Sequence, residues 1–364
     1  EHPVEAGIDP LFEVAPDDMT YPLFDLAFDR WFEQQLANPG EGVRRILRRA
    51  PRKEFGGGRS ATLARRPRES GPKPILRQAA LELVKERDFT APWKRFEGFD
   101  RDSQIDDLVK EMKDLGEWSE AGQPDQWLTK SLAYLKHFVS EITRVESLGE
   151  PRDYDGIEAR LFGLLGGWGR AKDWKAYYGK DNFPADELRN RRDELKTRVK
   201  EFVDKAGADL APRLREELWG VVEAFEQLKE RAGYLDFVDL LLRARNLVRD
   251  SRDIRVELQR RFTHIFVDEF QDTDPLQTEI LMLLGSDDPD QRDWRRVRPV
   301  PGKLFIVGDP KQSIYRFRRA DVALYQEVKR QVIASGGALV DLNVSFRAMP
   351  EIQEAVNSAF APVM

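Results

Sequence analysis

The chain has 364 residues, 41% apolar and 34% charged, with a formal net charge of -6. That length exceeds one ordinary domain, and the mix excludes collagen, mucin and low-complexity classes as well as disorder of the whole chain. With no cysteine and only three histidines, His2, His137 and His264, disulfides and thiol chemistry are excluded and a histidine metal cluster is disfavoured, so chemistry must run on carboxylates, Arg, Lys and Gln.

Residues 1–17 are punctuated by proline, with Leu11-Phe12-Glu13-Val14 as the strand-like piece. Helical text follows, in which Phe24, Phe28 and Trp31 line one face at spacings of four and three. Ile105, Leu108, Met112 and Leu115 form a second stripe behind Ser103, read as its N-cap. Leu128, Leu132, Leu135, Val139 and Ile142 form a third. Leu188, Leu195, Val199 and Phe202 repeat the pattern, as do Leu214, Leu218, Val221, Phe225 and Leu228. Apolar stripes of this kind mean core packing in a helical domain.

Between the first two stripes, Arg44 to Arg77 carries twelve Lys or Arg against two Glu, together with Gly56-Gly57-Gly58 and four prolines. It is expected to be a surface excursion that buries little, and it is either a phosphate-backbone contact or a solvated basic loop. The negative net charge makes such a local basic surface necessary for any polyanion binding.

The text changes character after about residue 207. Three short aliphatic runs, Thr263-His264-Ile265-Phe266-Val267, Lys303-Leu304-Phe305-Ile306-Val307 and Ala338-Leu339-Val340-Asp341-Leu342, alternate with helical stretches and read as buried parallel strands. The expected organisation is a helical domain over 18–207 and an α/β domain over 208–364, to which residues 1–17 also belong. No run approaches the roughly 18 apolar residues of a membrane span. The start, Glu1-His2-Pro3-Val4, has neither a basic nor an apolar leader region. A cytoplasmic protein with no membrane partner is expected.

The first run leads into Asp268-Glu269-Phe270-Gln271-Asp272-Thr273-Asp274. Ligands bind at the carboxyl ends of strands in open α/β sheets, and two adjacent carboxylates there would repel unless used. A Mg²⁺-nucleotide resolves this: Asp268 can hold the metal's water shell while Glu269 deprotonates a water aimed at the γ-phosphate. The second run delivers Gly308-Asp309-Pro310-Lys311-Gln312-Ser313-Ile314-Tyr315-Arg316-Phe317-Arg318-Arg319-Ala320-Asp321. Gly and Pro make a tight turn, and Gln312 offers an amide to a phosphate or the attacking water. Tyr315 and Phe317, interleaved with Arg316, Arg318 and Arg319, suit stacked bases and a sugar-phosphate backbone. The third run is followed by Ser345-Phe346-Arg347, whose arginine could reach the same phosphate.

Together these strings resemble motifs II, III and IV of the superfamily 1 DNA helicases of the UvrD, Rep and RecB type, in order and spacing. Tyr234 to Ala244, YLDFVDLLLRA, resembles the helix before motif II, and the opening PVEAGIDPLFEV with KQSIYRFR is more similar to the RecB and AddA branch. The resemblance implies an α/β RecA-like parallel sheet of P-loop NTPase type with a large helical insertion, domains 1A and 1B. It implies ATP and Mg²⁺ as cofactors, with Asp268 on Mg²⁺, Glu269 as base, and Gln312 on the γ-phosphate. Arg347 would stabilise the developing charge, Phe346 stack on adenine, and Tyr315, Phe317 and Arg318 hold single-stranded DNA. Because Gln312 and Phe317 lie five residues apart, a shift at the phosphate would move the base-stacking platform directly.

The expected activity is 3'-to-5' translocation or unwinding of single-stranded DNA and its junction with duplex, in recombination or double-strand break repair, beside a nuclease or helicase partner. No G-x-x-x-x-G-K-[ST] loop occurs in the sequence; the glycine cluster at Gly163-Leu164-Leu165-Gly166-Gly167 lacks the lysine. The chain is therefore expected to be an interior piece of a longer helicase, inactive alone. The alternatives are a non-catalytic DNA-binding or scaffold module, and an RNA helicase.

Overall fold

The computed structural model describes residues 2–49, 71–167, 183–313, 322–342 and 348–361. Two units divide the chain, one formed by Glu13–Tyr234 and the other by Glu1–Phe12 with Leu235–Met364.

The first unit is helical. After a short strand, β1 (Glu13–Val14), come α1 (Asp17–Ala37), α2 (Glu41–Leu47), α3 (Pro72–Lys85), α4 (Arg101–Glu117), α5 (Trp127–Glu146), α6 (Tyr154–Gly167) and α7 (Ala185–Ala232). The stripes read from the sequence are the faces that meet. Leu188, Leu195, Val199 and Phe202 of α7 join Ile105, Met112, Leu132, Leu135 and Leu161 in one core. Further along the same helix, Leu218, Val221 and Phe225 join Phe24, Phe28, Val43, Ile46 and Leu76 in a second. Each such side chain contributes about 1.5–3 kcal/mol by leaving water. Residue 207 lies inside α7, which also accommodates Pro212. The change in the text near 207 coincides with the passage from one core to the other along one helix. Gly233, at φ 70°, ends α7 in the left-handed conformation that favours glycine.

Two local expectations are corrected here. The N-cap of α4 is Asp100, not Ser103: the Asp100 carboxylate accepts the Ser103 N–H at 3.1 Å, so Ser103 supplies one of the unpaired first-turn donors rather than the cap. The basic segment from Arg44 to Arg77 also buries more than its composition suggests. Its ends form α2 and α3, and the Arg45 side chain is wholly buried against Glu158 of α6 and Asp209 of α7. Arg44 Nε pairs with Asp155 at 2.5 Å. Ion pairing, not an apolar stripe, draws these arginines inward. The middle of the segment, residues 50–70, lies outside the described residues. The first turn of α2 has no capping side chain of its own. Glu217 of α7 supplies one, accepting the N–H groups of Gly42 and Val43 at 2.7 Å each, where a carboxylate also complements the helix dipole.

The second unit holds α8 (Phe237–Asp250), α9 (Arg252–Arg261), β2 (Ile265–Val267), α10 (Pro275–Gly285), β3 (Leu304–Ile306), α11 (Val322–Ala334) and α12 (Pro350–Phe360). Asp236 with Asp239, and Asp274 with Gln277, form reciprocal capping boxes that start α8 and α10. Strands β2 and β3 pair in parallel with Ile265, Phe266 and Val267 opposite Leu304, Phe305 and Ile306. The parallel pairing agrees with the sequence; burial on both faces does not. Ile265, Val267, Leu304 and Ile306 pack on the core of Val248, Phe270, Met282, Leu283 and Trp294, whereas Phe266 and Phe305 point the other way, 76% and 59% exposed, with their rings 5.7 Å apart. Residues 338–342 form no strand. Leu339, Val340 and Leu342 are exposed, and an aliphatic run becomes a strand only where another strand's edge receives it. No helix among the described residues is long and apolar enough to cross a membrane.

Candidate functional site

The carboxyl ends of β2 and β3 are zipped together beyond the ladder itself. Val307 N–H donates to Val267 O at 2.8 Å, and Phe270 N–H donates to Val307 O at 3.0 Å. These bonds bring the segment after β2 against the turn after β3. Glu269 makes the corner: it has φ 51° and ψ 42°, and it is the one non-glycine among the described residues with positive φ. For an L-residue this conformation costs about 1–2 kcal/mol. It carries the chain from the strand directly into a 3-10 turn, Phe270–Asp272, in which Phe270 and Gln271 are buried. Phe270 anchors the turn in the core, while Asp268 and Glu269 remain exposed.

Gln271 sits beneath the corner, 2% exposed. Its Nε2 donates to Glu269 Oε2 at 2.6 Å, and its Oε1 accepts the Asp309 N–H at 2.9 Å. The Ser313 hydroxyl donates to Gln271 O at 3.3 Å. Asp309 opens the second 3-10 turn, Pro310–Gln312, accepting the Lys311 N–H on Oδ1 at 3.0 Å and Gln312 Nε2 on Oδ2 at 3.1 Å. The Lys311 N–H first, and the Gln312 amide second, hold the Asp309 carboxyl below its ordinary range. Tyr325 of α11 closes the back of the site: its hydroxyl donates to Gly308 O at 3.0 Å and its ring lies 5.8 Å from Phe270. Burial, then the nearby Asp309 charge, pushes the Tyr325 hydroxyl's pKa up.

Of the residues singled out in the sequence, Glu269 and Gln312 are thus joined through Gln271 and Asp309. Asp268 is at the same strand end, with Oδ1 accepting the Glu269 N–H at 3.0 Å. Tyr315, Phe317, Arg318, Phe346 and Arg347 lie outside the described residues. Sequence reasoning gave no role to Gln271, Asp309 or Tyr325. The first two stand inside the strings it quoted, but their partners follow from the β2–β3 register, which no local spacing reveals.

Residues 85–333, about two thirds of the chain, match the UvrD/REP helicase N-terminal domain. The chain is 33% identical over 243 residues to an ATP-dependent helicase/nuclease subunit of Exiguobacterium sibiricum, a match covering 62% of this chain and 19% of that protein. It is 30% identical over 258 residues to the protein of the same name from Levilactobacillus brevis, covering 65% and 19%. The chain spans about a fifth of the length of these relatives. With its paired parallel strands and the motif strings at their ends, the chain belongs to the UvrD/REP helicase N-terminal domain family.

Proposed function

We propose that the protein carrying this chain is an ATP-dependent DNA helicase or translocase whose nucleotide site is built where Glu269 meets the turn of Gln312. The observation that carries the reading is the hydrogen-bonded route from Glu269 through Gln271 and Asp309 to Gln312. It gathers an exposed carboxylate and an exposed amide at the carboxyl ends of two parallel strands, where α/β sheets take ligands.

Mg²⁺ asks for one or two carboxylates and takes its remaining ligands from water and phosphate. Asp268 meets that demand with an exposed carboxylate at the strand end, bonded to the Glu269 N–H. When bound, ATP and its metal supply the transferable phosphoryl group and the charge that balances it. In this reading Glu269 takes a proton from the attacking water and Gln312 donates to the γ-phosphate. By resemblance, Arg347 neutralises charge in transfer, Phe346 stacks on the adenine, and Tyr315, Phe317 and Arg318 hold single-stranded DNA. The helical insertion 1B falls in the Glu13–Tyr234 unit and the RecA-like domain 1A in the other. Polarity from 3' to 5', work in recombination or double-strand break repair, cytoplasmic location and a protein partner complete the reading. The relatives' printed name, which calls each of them a helicase/nuclease subunit, supports the partner and the DNA substrate.

In the full-length protein, Glu269→Gln removes the base while keeping its shape, so ATP turnover stimulated by single-stranded DNA is expected to vanish with nucleotide binding retained. Phe317→Ala is expected to weaken single-stranded DNA binding by about 1–3 kcal/mol. Wild-type turnover in Glu269→Gln would overturn the assignment.

A further inference from the structure

Gln271 is a neutral side chain buried at the junction of two exposed turns, and both ends of its amide are engaged. Nε2 holds Glu269 Oε2 at 2.6 Å and Oε1 takes the Asp309 N–H at 2.9 Å. A side chain that only satisfied a buried backbone donor would need the second bond alone. The first is of another kind: a group shielded from solvent reaches out to fix an exposed carboxylate, with the short length of a charge-assisted bond. Glu269 needs such a restraint. It stands at a left-handed corner with a long side chain whose carboxylate would otherwise sweep through solvent, and ordering it costs rotamer entropy that a fixed partner offsets. The link continues, because Asp309 also binds the Gln312 amide and Ser313 Oγ binds Gln271 O.

We infer that Gln271 is a positioning residue that fastens the Glu269 carboxylate to the turn of residues 308–313, so that the base is aligned only while the turn carrying Gln312 is in place. This rests on the reading of Glu269 as the base. An amide is the side chain for the task because one end must donate to a carboxylate and the other accept from a peptide N–H, at fixed separation. A ligand phosphate drawing on Gln312 would then be felt at Glu269 through one side chain, without any movement of the strands. The titrating groups around the amide are Asp268, Glu269, Asp309 and, across Gly308, Tyr325.

The test uses the full-length protein, single-stranded DNA and ATP, with Gln271→Met, Gln271→Glu and, as control, Glu269→Gln. Gln271→Met keeps volume and removes both bonds; kcat per folded molecule is expected to fall by about tenfold or more while KM for ATP stays within about threefold. Gln271→Glu keeps an acceptor for the Asp309 N–H and sets a second carboxyl against Glu269. The two then share a proton, and the acidic limb of the kcat–pH profile is expected to move to higher pH. A structural role alone would lower the melting temperature and leave kcat per folded molecule and the acidic limb where they are, which overturns the inference. If Gln271→Met does not fold, the limb in Gln271→Glu, which has the same shape as the native side chain, decides. Turnover surviving Glu269→Gln refutes the base itself. Turnover lost in that control, with both Gln271 variants behaving as wild type, refutes the positioning role alone.

Discussion

Arg45 Nη1 lies 2.9 Å from Asp209 Oδ2, with Arg45 fully excluded from solvent and Asp209 nearly so. The same guanidinium donates to Glu158 Oε2 and to Ala206 O at 3.0 and 3.1 Å. One side chain of α2 therefore ties α6 to α7. Replacing a buried ion network with apolar groups can be neutral, but removing one partner strands the others. Arg45→Met leaves Glu158 and Asp209 buried, with Arg95 still on Asp209 and Arg101 still on Glu158. The expected loss is thus near the lower end of the usual range, about 3 kcal/mol, read as a shift of the denaturant midpoint. A loss under about 1 kcal/mol, the scale of a surface pair, would show that the network contributes no more than surface charges do.

The same cluster sets a pH dependence. Burial pushes the carboxyls of Asp155 and Asp209 up, but hydrogen bonds outweigh it, from Arg44 and Arg101 on Asp155 and from Arg95 and Arg45 on Asp209, so both end below their ordinary range. The unfolded chain, with aspartate near about 3.9, then binds protons more readily than the folded one. The stabilisation from these two groups is complete above the unfolded value and is lost as pH falls through the lower, folded values. Melting temperature against pH is expected to drop more steeply in wild type than in Asp155→Asn below about pH 4. Parallel curves for the two proteins would contradict this.

The helical faces were legible because period and burial coincide: Ile105, Leu108, Met112 and Leu115 recur at helical spacing and all are buried. Arg45 and Asp209 were not, since 164 residues separate them and ion pairing leaves no periodic trace. Likewise Asp268 and Glu269 stand out at the end of an aliphatic run, while Gln271 acquires its role only when parallel pairing sets Val267 beside Ile306. Residues 338–342 show the reverse error, strand-like text whose side chains lie open to solvent. Strand propensity describes fitness for a pleated, half-buried surface, and it cannot supply the neighbouring edge.

Gly308 carries the last expectation. A Cβ there would stand 2.8 Å from Gln271 Oε1, 3.1 Å from Tyr325 Cε2 and 3.2 Å from Phe270 N. Its φ is outside the left-handed region, so alanine tests space and not backbone strain. The Gln271 amide can swing only by giving up Asp309 or Glu269, and Phe270 N is backbone, itself bonded to Val307 O. Gly308→Ala is therefore expected to cost about 1–3 kcal/mol of stability, as overpacking does. It should also lower ATP turnover of the full-length protein, since relief comes at the Glu269 link. Gly302 is the contrasting position, with φ 76° and nothing within 4 Å of an added Cβ. Gly302→Ala should cost about 1–2 kcal/mol through backbone strain and leave turnover per folded molecule unchanged. Similar stability losses with turnover affected only at Gly308 would separate the close approach from general weakening. Equal turnover in the two variants would mean that the turn yields at Gly308 without disturbing Glu269.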